Sequence, residues 1–328
     1  MFQKGIEIIF SDGSPSDFSN NLSICRDNST NLMYACFAHI NQANTLQWDA
    51  NADYASNGSI FLQAKPVGNS STVIQAKLCT PTSQTSPYLA IATTSGAMIY
   101  NPTTEAVMAW FPLNVLESCL GTSNGQIILF DCSKANSVTF KKVIAEHNSA
   151  IVDIASNNVE KLCCSCDTSG NIVVWGKYFR SIQRKIATKL SYSCMNFHGR
   201  KIIVGTYTGK ILVFCSDTGT LLADINAHIR QINAVTCSGD CSKVIVVGYT
   251  TVISISEDSI LRIWRFDDEN KPDVCKVTCL HSERLENKAL VGAQFLDDTG
   301  TAFVIAAYDY SKLSFYEISK QSDETINI

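Results

Sequence analysis

"GTSNGQIILFD", Gly121 to Asp131, and "GTYTGKILVF", Gly205 to Phe214, share one frame: a glycine-bounded turn feeding an apolar run that closes on phenylalanine. In the first copy the turn holds Gly-x-Ser-x-Gly, the frame of a hydrolase nucleophile elbow with Ser123 as nucleophile. An elbow needs a helix after its serine, because the sharp strand-to-helix turn is what exposes the hydroxyl. "QIILFD" reads instead as a strand, and the second copy carries Tyr207 in place of the serine. The frame is a strand–turn–strand unit, so what repeats decides the fold.

The unit returns along the whole chain as a turn and a short strand ending on an aromatic: Trp48, Tyr100, Phe130, Trp175, Phe214, Trp264 and Phe315. These aromatics stand about 44 residues apart on average, the period of a four-stranded propeller blade. A further strand precedes most of them, as in "KLCCSC", "KIIVGT" and "TAFVIAAY", and no stretch of ten or more residues has a helical period. The expectation is an all-β chain, residues 1–328 forming a single seven-bladed β-propeller. The short interval from Tyr100 to Phe130 leaves hardly any room for an inner strand, so the third blade should be incomplete. After the last aromatic strand, "KLSFYEI", only the polar "SKQSDETINI" remains. The missing fourth strand of the last blade is then expected from residues 4–10, Lys4 to Phe10, pairing against the strand around Leu313–Ile318 and removing an open edge.

Two units carry a recognisable buried polar chain. "NAHIRQI…SISEDSILRIW" offers His228, Ser254, Asp258 and Trp264. An imidazole can bridge a carboxylate and a hydroxyl while the hydroxyl meets an indole N–H, so each buried polar group finds a partner. "AEHNSAI…CSCDTSGNIVVW" offers His147, Ser165 and Trp175, but Ser169 stands at the aspartate's place, which predicts a weaker network. His281 with Asp309 would be a partial echo in the last blade. Degenerate units beside a complete one are compatible with the fold, because each blade only has to stack on its neighbours.

These motifs resemble the WD40-repeat family across nearly the whole chain. The stretches "NNLS", "INAH" with Arg230 and Ile232, "SEDSILRIW" and "VGAQFLDDTGTAFVIAAYD" narrow the resemblance to one branch of it. The resemblance implies an intracellular propeller used as a protein-interaction platform, and it transfers no catalytic residue.

Composition points the same way. The 328 residues are 45% hydrophobic, with a net charge of −4. Without a basic stripe, a nucleic-acid or anionic-membrane footprint is not expected. "MFQKGIEIIF" is too short and interrupted for a signal peptide, and "KVIVVGYTTVISIS" falls short of a membrane span. The 14 cysteines in a long chain without an export signal read as reduced core thiols, hence a cytoplasmic protein.

The function expected is a non-enzymatic scaffold, monomeric by itself, whose partners are proteins or peptides. They would dock on the face that carries the histidines and aspartates, around the mouth of the central channel. Its rim would present Tyr207, Arg230, Gln231, Glu257, Tyr308 and Tyr310, and Tyr and Arg are frequent interface anchors. An alternative is a substrate-receptor adaptor that hooks a short acidic or modified peptide with Arg230. The opposite face, near "KVIVVGYTT", is the second place to look. A hydrolase would need a histidine and an acid beside Ser123, and two of the five histidines are already assigned. "CKVTCLH" (Cys275, Cys279, His281) and "CSGDC" (Cys237, Cys241) lack paired Cys-x-x-Cys spacing for a metal. No catalytic residue, metal site or cofactor is expected.

Overall fold

The computed structural model describes residues 2–10, 13–27, 29–50, 60–64, 71–80, 86–103, 106–112, 122–134, 137–157, 161–176, 179–238, 249–267, 275–297 and 299–318. Among them every regular element is a strand. The strands form six four-stranded antiparallel sheets and one two-stranded sheet. Numbered in chain order, sheet one runs from Ser23–Asp27 through Leu32–His39 and Gln42–Asp49 to Ile60–Ala64. Sheet three is the two-stranded one, Gln126–Lys134 with Ser137–Ala145. Residues 113–121, where its inner strands would have to lie, fall outside the described residues, as does the "KVIVVG" run.

In five of the four-stranded sheets the strands are antiparallel neighbours in chain order; in the last, the outermost strand comes from the other end of the chain. The apolar runs alternate or are continuously buried, as expected of strands covered on both faces. The turns between second and third strands need a left-handed residue, and Gly170 and Gly209 supply it with φ of 85° and 84°. At Gly209 a Cβ would come within 2.1 Å of the His228 carbonyl oxygen. A side chain there would push apart two neighbouring loops.

First strands of successive sheets touch one another, which places them innermost around an axis. The apolar core is divided among the joints between sheets. Sheets four and five share Val174, Tyr192, Val204 and Phe214, sheets five and six share Ile203, Val213, Val252 and Trp264, and sheets one and two share Cys36, Ala43, Leu89 and Met98. Phe111 and Phe130 meet at 4.5 Å between sheets two and three. This is a β-propeller arrangement with six four-stranded blades. The aromatics at 48, 100, 175, 214, 264 and 315 all lie on third strands, and Phe130 lies on the first strand of the two-stranded sheet.

The last sheet joins the two ends of the chain. Strand Phe2–Ile9 pairs antiparallel with Lys312–Ile318, with Phe2 opposite Ile318 and Ile9 opposite Lys312. Glu7 anchors the seam. Its carboxylate accepts hydrogen bonds from Lys4 Nζ (2.7 Å), Tyr310 Oη (2.8 Å), Lys312 Nζ (3.2 Å) and Ser314 Oγ (3.2 Å), and Lys288 Nζ lies 3.7 Å away. Burial alone would raise its pKa, but these donors outweigh it and hold the carboxyl at about 2.

Candidate functional site

The turns on one face of the ring are fixed from below by two polar chains. In sheet six, His228 Nε2 lies 2.8 Å from Ser254 Oγ, its Nδ1 lies 3.1 Å from Asp258 Oδ2, and Trp264 Nε1 donates to Ser254 Oγ at 2.9 Å. Burial pushes the imidazole's pKa down to about 4, and the Arg262 guanidinium beside it works in the same direction against the pull of Asp258. A neutral ring gives the chain one direction: indole to hydroxyl, hydroxyl to Nε2, Nδ1–H to carboxylate.

Sheet four corrects the expectation at Ser169. His147 Nε2 lies 2.7 Å from Ser165 Oγ, and Trp175 Nε1 donates to that oxygen at 2.9 Å. The carboxylate comes from Asp167, whose Oδ2 is 2.9 Å from His147 Nδ1. Asp167 stands two residues before Ser169, on the same strand as Ser165 and therefore on the same face, since strand side chains alternate. Its carboxylate also accepts from the backbone N–H of Ser169 (3.0 Å) and of Asn171 (2.9 Å) and from Asn171 Nδ2. Burial alone would raise its pKa, but these donors and His147 lower it on balance. The network in sheet four is complete, and Ser169 contributes only its backbone.

Where the hydroxyl is missing, the aromatic is left alone. The residue of sheet one that corresponds to Ser165 and Ser254 is Ala38, ten positions before Trp48. The Trp48 indole N–H is buried without a hydrogen-bond partner. The echo expected at His281 does not form either: His281 Nε2 is buried without a hydrogen-bond partner, 3.5 Å from Glu283, while Asp309 sits in a left-handed turn with φ of 51°.

The expected rim residues divide into two groups. Tyr207 (48% exposed), Tyr308 (49%), Arg230 and Glu257 face solvent on turns of this face. Gln231 and Tyr310 are committed inward. Gln231 Nε2 donates to Ser19 Oγ at 2.9 Å and to Asn233 Oδ1 at 3.0 Å. Tyr310 bonds Glu7 and carries the Lys288 ammonium 3.9 Å above its ring. A side chain that sequence reasoning passed over stands out most: Ile229, 85% exposed. Its backbone N–H donates to Asp258 Oδ2 at 3.2 Å, so an apolar knob is held rigid by the polar chain beneath it.

The expected docking place at the channel mouth is taken by the chain itself. Residues 13–22 link the last sheet to the first and cross the mouth. The Asn20 N–H donates to the Asn233 carbonyl (2.7 Å), and the Asn21 N–H to the Val291 carbonyl (2.9 Å). Asn20, left-handed with φ of 59°, reaches Asp153 Oδ2 in sheet four at 3.0 Å. Asn21 is 1% exposed and clamps Ala38 through both its N–H and its carbonyl.

Ser123 is exposed in the turn that enters strand Gln126–Lys134, and a strand follows it. Among the described residues no three His, Cys, Asp or Glu side chains gather as a metal site; Cys241 lies outside them. Burial pushes the Cys163 thiol up to about 11 and Cys194 up to about 12, which makes both poor nucleophiles and ligands.

The fold has close counterparts. A chain in the crystal structure of the mitotic checkpoint complex superposes with a TM-score of 0.73 at 14% identity, covering 97% of this chain and 92% of that one. The crystal structure of the RRP9 WD40 repeats gives 0.69 at 12% identity, covering 97% and 99%. In sequence, WD repeat-containing protein 54 of Homo sapiens is 26% identical over 203 residues, 60% of this chain and 58% of that protein. The Mus musculus protein of the same name is 24% identical over 221 residues, 64% of each. The matched stretch thus spans less than two thirds of either relative. The WDR54 family model matches residues 1–318. With the repeat, the polar chains and the propeller in place, that match settles membership: this chain belongs to the WDR54 family of WD-repeat proteins.

Proposed function

We propose that the chain is a non-enzymatic scaffold that binds protein partners on the face held by the two polar chains, with sheet three filling a trimmed seventh blade position. One observation carries the reading. The turns of sheets five and six raise Tyr207, Ile229, Arg230 and Glu257 side by side on a backbone fixed by Asp258 and by the close approach at Gly209. Solvated apolar groups on a preordered edge lose little entropy on docking. Tyr and Arg add apolar area and a bidentate hook. Because residues 13–22 fill the channel mouth, the contact surface is the arc over sheets five and six rather than the centre.

A second reading, an adaptor for an acidic or phosphorylated peptide, is favoured by Arg230. Its guanidinium makes no hydrogen bond or ion pair among the described residues. Both readings belong to a monomeric protein of the cytoplasm without nucleic-acid ligands. The eleven cysteines whose side chains are described are free thiols, which supports a reducing compartment.

The test is the double variant Tyr207→Ala with Arg230→Glu, assayed for co-purifying proteins once an unchanged melting temperature is shown. Loss of a protein that wild type recovers supports the arc. Full recovery by the variant moves the site to the other face.

A further inference from the structure

The central channel contains a cavity of about 200 Å³ lined by Asn20, Lys77, Asp153, Ser156, Asn196 and Thr236, among others. At roughly 30 Å³ per water it is too large for a single structural water, yet it lies below the roughly 300 Å³ at which drug-sized pockets begin. Its lining comes from the crossing segment at Asn20 and from the inner strands of sheets two, four, five, six and the last. Lys77 lines it from the inner strand of sheet two (Val73–Cys79), and Asp153 from the inner strand of sheet four (Ile151–Asn157).

Lys77 and Asp153 share no hydrogen bond or ion pair, although the ammonium acts on the carboxylate at longer range. Asp153, 8% exposed, accepts three bonds from neutral donors: the N–H of Ile154 (2.8 Å), the N–H of Met195 (3.1 Å) and Asn20 Nδ2 (3.0 Å). No cation contacts it among the described residues. Lys77, half-buried, makes no hydrogen bond or ion pair among them. Buried charges are normally paired, because each unpaired one forfeits its hydration. A metal ion would meet one carboxylate and a repelling ammonium, and a simple anion would meet Asp153.

We propose that this cavity is a binding site for a small zwitterion of amino-acid size, whose ammonium pairs with Asp153 and whose carboxylate pairs with Lys77. Asn20 closes the site on the face of the two polar chains, and the remaining polar lining serves the ligand's flanks. Burial pushes the Asp153 carboxyl up against the pull of the Lys77 ammonium and of its three donors. The proposal is independent of the partner-binding arc, and nothing in the arc's test bears on it.

The test uses calorimetric titration and thermal shift on the full chain with a length series: glycine, β-alanine, γ-aminobutyrate and ε-aminohexanoate. Butylamine and butyrate serve as single-charge controls. The expected result is saturable binding by at least one member, with both controls weaker by about tenfold or more, the factor for losing one hydrogen-bonded charge. Lys77→Met should reduce the zwitterion to the affinity of butylamine, and Asp153→Asn to that of butyrate. If Asp153→Asn does not fold, Lys77→Met and the two controls still decide. Absence of binding across the series at millimolar concentration overturns the proposal. So does butyrate binding as well as the zwitterion, or binding unchanged in Lys77→Met.

Discussion

Asp167→Ala is the sharpest perturbation, because the carboxylate stands two residues from the place its motif assigns to it. The side chains of Asp167 and His147 are fully buried. Removal of the carboxylate leaves the His147 Nδ1–H without an acceptor at a site water cannot reach. An unmet buried group costs about 1–3 kcal/mol, and breaking a buried ionic contact about 3–5 kcal/mol. The part-buried amides of Ser169 and Asn171 also lose an acceptor, which adds to the loss rather than offsetting it. The expected loss is therefore about 3 kcal/mol. With a urea dependence of about 3 kcal/mol per molar, the unfolding midpoint falls by about 1 M. Ser169→Ala removes a side chain that takes no part in the network and should stay within about 0.5 kcal/mol of wild type. Urea titrations followed by tryptophan fluorescence read all three proteins, since Trp175 sits in the network. If Asp167→Ala unfolds at the wild-type midpoint, or if Ser169→Ala loses as much, the assignment of Asp167 to the chain is wrong.

Deletion of the first ten residues should strip the outer strand from the last sheet, lower the melting temperature and produce aggregates by light scattering; a truncated protein that stays monomeric and melts like wild type refutes ring closure. Trp175→Phe should cost about 1 kcal/mol more than Trp48→Phe by urea titration, because only Trp175 gives up a hydrogen bond. Acid should destabilise the protein in two successive steps. His228, with a pKa of about 4 when folded against about 6.5 unfolded, takes up its proton more readily in the unfolded chain. Its contribution is complete above about pH 6.5 and is lost on the way down to 4. Glu7, at about 2 when folded against 4.5, contributes fully above about pH 4.5, and its share fades toward 2. In stability measured against pH, the lower step of Glu7→Gln should shrink to what the other lowered carboxylates, Asp27 and Asp167, contribute, while the upper step stays.

The strand pattern and the period of the aromatics were legible because both follow from local chemistry: β-branched runs, glycine turns and one large side chain per unit. The sheet-six network was legible for the same reason, since His228, Ser254, Asp258 and Trp264 match a fixed spacing. Asp167 escaped because spacing was read residue by residue, whereas an extended strand offers the same face at every second position. Gln231 and Tyr310 were misplaced because the partners that turn them inward, Ser19 and Glu7, lie about 200 and 300 residues away in sequence. The same distance hid the plug at Asn20 and the opposition of Lys77 and Asp153. No local pattern records which loop crosses a ring.

The closing seam also dictates an order of events during synthesis. Among the described strands Phe2–Ile9 is made before all the others, and its partner, Lys312–Ile318, after all the others. At ribosomal rates of about 5–20 residues per second, the first strand waits roughly 15–60 s for it. During that wait sheets one to six can form and stack, but Ile8 and Phe10 can meet only the sheet-one half of their joint, such as Phe37; the Val291, Val304, Leu313 and Phe315 half is still missing. Closing so long a loop is slow and entropically unfavourable until the stacked sheets bring its ends together. The nascent ring therefore spends most of its synthesis as an open arc with a free apolar edge at each end. A chaperone that shields those edges would affect the yield of this protein far more than its final stability.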